Sequence, residues 1–422
     1  MAEDIGFGRL PHGAKILWEY VRSSPTFSLG FFFATGSRYD PPGQSGMAHL
    51  VEHLVFKGTR SHSASSLARL VDRVGGDLNA WTDREEVAFT CTVPAESWAV
   101  ALEALAELTL YPQFPPEEFD REKEVIRNEI LASLEDPEEL SYEAYLQGVA
   151  PGPWSQSVAG TEATLGTIRL EDVRGWWARH GAPAHLTVAF SGGVAPEGIR
   201  DAVARYLEEI PGVPPGPLGP APVFQPGRKV WSERSDFQMT QVIGGFHVPK
   251  PLDPREAATW QMTSMLWGET MSSRLFQSVR EQRGLCYSIT SQMFDTETLW
   301  GLQFFASCAP ENGVAMVACL RDEVRRLTDE PPHQDEWDDA LAALRGGVIL
   351  GSEKTENRVG RLWQQFGMFH NPLGTAGILA TLEERVSVTE QRRILDHLSG
   401  QRPSLLVWGK LPRRLDLRSW DA

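Results

Sequence analysis

Two imidazoles and a carboxylate fall within five consecutive residues, His49-Leu-Val-Glu52-His53, a spacing suited to metal-assisted hydrolysis. Residues four apart on a helix lie one above the other. His49 and His53 can therefore converge on one cation while Glu52 projects beside it, placed to move a proton. Left unpaired in an apolar stretch, three such groups would cost several kcal/mol, a cost that a metal removes. A catalytic zinc takes three protein ligands as a rule and leaves its fourth position to a water, so one more ligand must come from elsewhere in the chain.

The elements that must hold these residues are legible around them. Asp40-Pro41-Pro42-Gly43 is a turn cluster, Ser45 is in place to cap a helix, and Gly58 is in place to stop it. Met47, Leu50, Leu54 and Phe56 give that helix an apolar side. A second helix is bracketed by Pro115-Pro116-Glu117-Glu118 and Asp136-Pro137, room for about five turns at 3.6 residues each. Glu122 and Glu129 fall seven apart on one of its faces, with Val125 and Ile126 between them. The helix is rich in glutamate, and periodicity alone selects none of them. Between the two helices, Gly75-Gly76-Asp77-Leu78-Asn79-Ala80-Trp81-Thr82 leads into a run where Val87, Phe89, Cys91 and Val93 alternate with Ala88, Thr90 and Thr92. That period of two predicts a half-buried strand and an edge-strand candidate.

The stretch Gly46-Met-Ala-His49-Leu-Val-Glu52-His53-Leu-Val-Phe-Lys57-Gly58-Thr59 closely resembles the inverted-motif zinc peptidases of the pitrilysin and insulinase superfamily. The nearest branch is similar to the mitochondrial-processing-peptidase type and its bacterial relatives. The resemblance implies that the third zinc ligand is Glu129, 76 residues after His53, and that Glu122 orients a ligand without binding metal. It likens the segment at 79–82 to the family's Asn-Ala-x-Thr, on which substrate pairs as an added strand, with Asn79 and Ala80 lining the cleft. In the second half, Arg280 and Tyr287 match an Arg and a Tyr that family members carry seven residues apart. A phenol hydroxyl can donate to the oxyanion developing on a scissile carbonyl, and a guanidinium can grip substrate backbone oxygens. Arg283 has the wrong spacing to Tyr287 for that pairing. The chain departs from many relatives before Gly160-Thr161-Glu162, where it reads Gly152-Pro153-Trp154-Ser155-Gln156-Ser157 in place of a loop with His-Pro.

With 422 residues, 41% of them hydrophobic, the chain can fill more than one core, and about 200 residues per domain predicts two. Pro211 to Gly227 is Pro/Gly-rich without periodicity and reads as a semi-rigid spacer. It divides a zinc-binding domain at 1–210 from a C-terminal domain at 228–422 that carries Arg280 and Tyr287. Each half opens and closes on strand-like runs with a long helical segment between, so the halves look like distant repeats. The resemblance implies an α+β class, each half a mostly antiparallel sheet backed by helices.

Cysteines at 91, 286, 308 and 319 have no C-x-x-C spacing and predict buried thiols. No basic n-region or apolar h-region opens the chain, and no run nears the roughly 18 apolar residues of a membrane span. A soluble, cytoplasmic protein with no membrane association is expected. The net charge of −16 disfavours nucleic acid. The functional expectation is a zinc-dependent endopeptidase with one Zn2+ per chain, acting on peptides or unfolded polypeptides inside a clamshell chamber. Zinc sits on His49, His53 and Glu129, Glu52 is general base, and Arg280 with Tyr287 stabilises the tetrahedral species. Because one chain carries both residue sets, a homodimer is expected, with a heterodimer of related chains as the alternative. A non-catalytic or regulatory subunit of the same fold and a peptidase dedicated to one precursor are the competing functional readings.

Overall fold

The structure, a computed structural model, describes residues 4–210, 212, 222–234, 236–296, 299–383, 386–411, 417 and 420. Among them run the strands β1 (Asp4–Arg9), β2 (Lys15–Tyr20), β3 (Thr26–Phe33), β4 (Asp77–Thr82), β5 (Val87–Pro94), β6 (Leu186–Gly192), β7 (Lys229–Glu233), β8 (Thr240–His247), β9 (Ser288–Asp295), β10 (Trp300–Cys308) and β11 (Ser404–Gly409). The helices of the first half are α1 (Met47–Val55), α2 (Ala64–Asp72), α3 (Trp98–Leu110), α4 (Pro116–Ser133), α5 (Pro137–Val149), α6 (Glu162–Thr167), α7 (Leu170–His180) and α8 (Pro196–Glu208). Those of the second are α9 (Pro254–Ser264), α10 (Gly313–Asp329), α11 (Gln334–Gly351), α12 (Thr355–Phe369), α13 (Thr375–Thr381) and α14 (Val388–Ser399).

The strands form two sheets, ordered β1-β2-β6-β3-β5-β4 and β7-β11-β8-β10-β9. Without β1, each sheet arranges its five strands in the same sequence-to-space order. In each, the first and last strands of the set pair in parallel and the other pairs are antiparallel. The repeat read in the sequence is thus a repeat of topology, in two α+β units.

These compact units do not follow the sequence halves throughout. The first comprises Met1–Ala132, Gln156–Pro220 and Leu350–Gly377, and the second comprises Ser133–Ser155, Ala221–Ile349 and Ile378–Ala422. The boundaries 1–210 and 228–422 therefore need correction at two segments. α5, from the first half, packs on the second sheet, where Tyr145, Leu146 and Val149 meet Ile243, Leu406 and Trp408. α12, from the second half, packs on the first sheet, where Val359, Leu362 and Phe366 meet Leu17, Phe32 and Ala189. The proposed linker at 211–227 lies outside the described residues except for 212 and 222–227.

The exchange explains a second difference from expectation. β5 is an inner strand, paired with β3 and β4, and its two faces are both covered. Val87, Phe89, Cys91 and Val93 enter the main core with α1 and α3. On the opposite face Ala88 packs under α12, and Thr92 belongs to a hydroxyl chain in which Ser28 Oγ lies 2.7 Å from both Thr92 Oγ1 and Thr355 Oγ1. Small and hydroxylated residues alternate with large apolar ones because one face receives α12, whose Thr355 meets the hydroxyls and whose Val359, Leu362 and Phe366 pack close to the sheet, not because it faces water. The same face holds Glu19 fully buried, its carboxylate accepting from Arg358 at 2.7 Å and Arg361 at 3.2 Å. β4, the strand that carries Asn79 and Ala80, is one of the sheet's two edge strands, with β1 at the other side.

Candidate metal centre

α1 begins abruptly because three backbone N–H groups at its start are bonded by one side chain. Asp40 accepts from Gly46 N at 2.8 Å and Met47 N at 3.1 Å through Oδ2, and from Ala48 N at 3.0 Å through Oδ1. Ser45, read as the cap in the sequence, makes no such bond; the residue preceding the helix is Gly46, whose side chain offers nothing. Asp40 does the work because a carboxylate six residues upstream reaches three orphan donors at once and meets the positive end of the helix. Burial pushes its carboxyl up, to about 8, while those three N–H bonds pull it back. Gly46 itself is forced: its φ is +95°, and a Cβ there would lie 2.5 Å from the Ala159 carbonyl oxygen.

Met47, Ala48, Leu50, Val51, Leu54 and Val55 anchor α1 in the first core, leaving His49, Glu52 and His53 on the partly open side. The two rings approach at 4.7 Å between centroids with planes 74° apart. α4 runs opposite, fixed by buried Phe119, Ile126 and Ile130, and delivers Glu129, 46% exposed at the side chain. Its Oε2 lies 3.7 Å from His49 Nε2 and 3.5 Å from His53 Nε2. Those separations are longer than hydrogen bonds. They are close to the edge of a tetrahedron of donors each about 2.0–2.1 Å from a common ion, roughly 3.3 Å. One donor atom from each residue lies within 4.8 Å of the others, the one such trio of His, Cys, Asp or Glu among the described residues. Two imidazole nitrogens and one carboxylate oxygen are a donor set of catalytic zinc, so these residues fit the ion. Burial, and secondarily His53, lowers the His49 pKa to about 4, keeping that ring neutral with a lone pair to give.

Glu52 is the base candidate on the same turn. Burial raises its pKa, against the opposing pull of a 2.6 Å hydrogen bond donated by Thr82 Oγ1. Thr82 closes β4, so the open-edged strand and the base are tied directly. Sequence reasoning named Asn79 and Ala80 on that strand and missed Thr82, although it completes the Asn-Ala-x-Thr segment. Asn79 is exposed, and its Oδ1 accepts the Ala80 N–H at 2.9 Å. Glu122 is 6% exposed at the side chain, with Oε2 3.1 Å from His53 Nδ1 and Oε1 2.7 Å from Lys57 Nζ. It sits behind the ligands, and Lys57 is a further residue to which the sequence gave no role.

Arg280 and Tyr287 belong to the second unit. Arg280 lies on a π-helical turn, Phe276–Glu281, with its guanidinium 4.6 Å from the Phe276 ring centroid and 4.9 Å from that of Tyr287. The pair read at seven-residue spacing is therefore in contact. Tyr287 is 84% exposed. Arg283 instead donates to the Ser278 carbonyl at 2.9 Å. In the loop where the resemblance led to an expectation of His-Pro, this chain buries Trp154, edge-on to Phe294 at 5.2 Å between centroids.

A family model described as "Insulinase (Peptidase family M16)" matches residues 15–160, and one described as "Peptidase M16 inactive domain" matches 167–344. The chain belongs to the insulinase superfamily. Curated relatives align along most of its length. An uncharacterized zinc protease of Rickettsia bellii is 26% identical, covering 93% of this chain and 96% of that protein. One from Streptomyces coelicolor is 28% identical, covering 98% and 91%. The fold is also that of two crystal structures: a peptidase M16 inactive domain from Pseudomonas fluorescens, with TM-score 0.86 at 19% identity over 98% of this chain and all of that one, and a protease from Helicobacter pylori, with TM-score 0.84 at 18% identity over 97% and all. His49, His53 and Glu129, the trio that could hold a metal ion, all lie in the part matched by the first family model, and the part matched by the second has no such trio among its described residues. No helix of the described residues is long and apolar enough to cross a membrane.

Proposed function

We propose that the chain is a zinc-dependent endopeptidase acting on peptides or unfolded polypeptides. One observation carries this reading: two helices bring His49, His53 and Glu129 donor atoms within 4.8 Å of one another, beside a half-buried carboxylate on the same turn. The curated relatives named zinc proteases support it. A bound zinc ion supplies Lewis acidity to the water and carbonyl of the hydrolysis. Glu52, held by Thr82, accepts the proton of the attacking water as its oxygen adds to the scissile carbonyl carbon. It then returns that proton to the amine nitrogen as the C–N bond breaks. Substrate pairs in extended form along β4, past Asn79 and Ala80. Tyr287 donates to the oxyanion and Arg280 grips substrate carbonyls.

Of the two family models, the one described as an inactive domain matches 167–344, where no trio of this kind occurs among the described residues, and the motif-bearing part matches the other. What favours a catalytic chain over a non-catalytic subunit is the presence of His49, Glu52, His53 and Glu129 together. The purified chain should contain about one zinc and cleave unfolded polypeptides or short peptides, with activity abolished by chelation and restored by added zinc. Zinc-free protein with intact ligands that stays inactive on both substrate classes after zinc addition contradicts the proposal.

A further inference from the structure

We infer that Lys57 is a positioning residue for the metal, acting through Glu122 on His53; this rests on the zinc reading above. The two imidazoles of the trio are not supported alike. Among the described residues, His49 Nδ1 is buried without a hydrogen-bond partner. His53 Nδ1 lies 3.1 Å from Glu122 Oε2, so its ring proton is drawn to Nδ1 and the Nε2 lone pair faces Glu129 and the ion. The more firmly held ligand is therefore His53, and what fixes it is the orientation of one buried carboxylate.

That carboxylate cannot hold itself. Glu122 is almost wholly inside the protein, where an unpaired charge is costly, and two oxygens on one rotatable bond could turn either edge toward the ring. Lys57 settles both points. Its ammonium sits 2.7 Å from Oε1, supplying the counter-charge and occupying that oxygen so that Oε2 is the one aimed at His53. Lys57 lies just beyond the last turn of α1, and its own N–H is bonded to the Leu54 carbonyl at 3.1 Å. The ammonium, the carboxylate and the imidazole thus form one chain running from α1 to α4 and back to α1. None of these contacts involves Glu52 or the Nε2 atoms that face Glu129, so Lys57 is assigned a positioning role and not a catalytic one.

The test is zinc affinity, read by competition with a chromophoric chelator on the full chain, with no turnover required. Lys57→Met should weaken zinc binding about tenfold or more, within the range seen when supporting partners of metal ligands are removed. Lys57→Arg, which keeps charge and reach, should restore it to within a few-fold. Glu122→Gln should cost a comparable factor, and the double variant should be no worse than the weaker single one, because both act through one contact. Lys57→Gln serves as the second neutral variant if Met impairs folding. Zinc affinity unchanged in the folded neutral variants, or losses that multiply fully in the double variant, overturns the inference. Failure of the unmodified chain to bind zinc at all would instead sink the zinc reading itself, so the two failures are distinguishable.

Discussion

At the scale of single residues, Glu52 and Glu129 are carboxylates separated in role by their surroundings. Glu129 is half exposed and faces two imidazole nitrogens, whereas Glu52 is largely buried and faces a hydroxyl donor. Glu52→Gln should therefore retain zinc and lose at least about a hundredfold in kcat, the usual contribution of a positioned base. Glu129→Gln should lose zinc and activity together. Metal content and single-turnover cleavage on both variants check this, and a zinc-free Glu52→Gln chain would remove the distinction. The sequence carried the trio almost completely, because helical spacing dictates that His49 and His53 coincide. It could not choose Glu129 among neighbouring glutamates by periodicity; resemblance made that choice, and the converging oxygen agrees with it. Thr82 and Lys57 were illegible for a different reason. Their partners are 30 and 65 residues away, and no local pattern records such contacts.

At the scale of elements, the site depends on where α1 starts. The turn cluster pointed to a helix beginning near Ser45, and the helix does begin there, but its capping group is Asp40. A local rule looks for the cap at the adjacent residue, whereas the loop folds back to bring a carboxylate from six residues upstream. Asp40→Ala leaves the Gly46, Met47 and Ala48 donors without that acceptor. It should lower stability by about 1–2 kcal/mol, a normal loss for a helix cap, and weaken zinc binding because His49 lies in the first turn. Denaturant unfolding and metal competition measure the two effects; a variant with unchanged stability and affinity would show that Asp40 does not position the helix. The alternation in β5 was read correctly as a strand and wrongly as one with a wet face. Period two reports that the faces differ in chemistry, and Ser28, Thr92 and Thr355 show that a polar face can be satisfied by another helix.

At the scale of the whole molecule, the repeat was visible in the order of strand-like and helical stretches, and the shared strand order bears it out. The exchange of α5 and α12 was not visible. Each follows an 18-residue helix and buries apolar side chains, Tyr145, Leu146 and Val149 on α5 and Val359, Leu362 and Phe366 on α12, and such residues state that a helix needs a sheet without stating which one. Because one chain carries both the candidate metal trio and the Arg280–Tyr287 pair, we propose a homodimer in which each protomer supplies the pair to its partner. Mixing Glu52→Gln chains with Tyr287→Phe chains, refolded or exchanged together, should then regain activity that neither has alone; a mixture as inactive as its components contradicts assembly in that form. The central claim, that His49, His53 and Glu129 hold one zinc, is tested most directly by anomalous diffraction at the zinc edge from crystals of the metal-loaded protein. The account predicts a single peak about 2.0–2.2 Å from both Nε2 atoms and a Glu129 carboxylate oxygen. A peak elsewhere, or one with the Glu129 carboxylate beyond bonding distance, would contradict it.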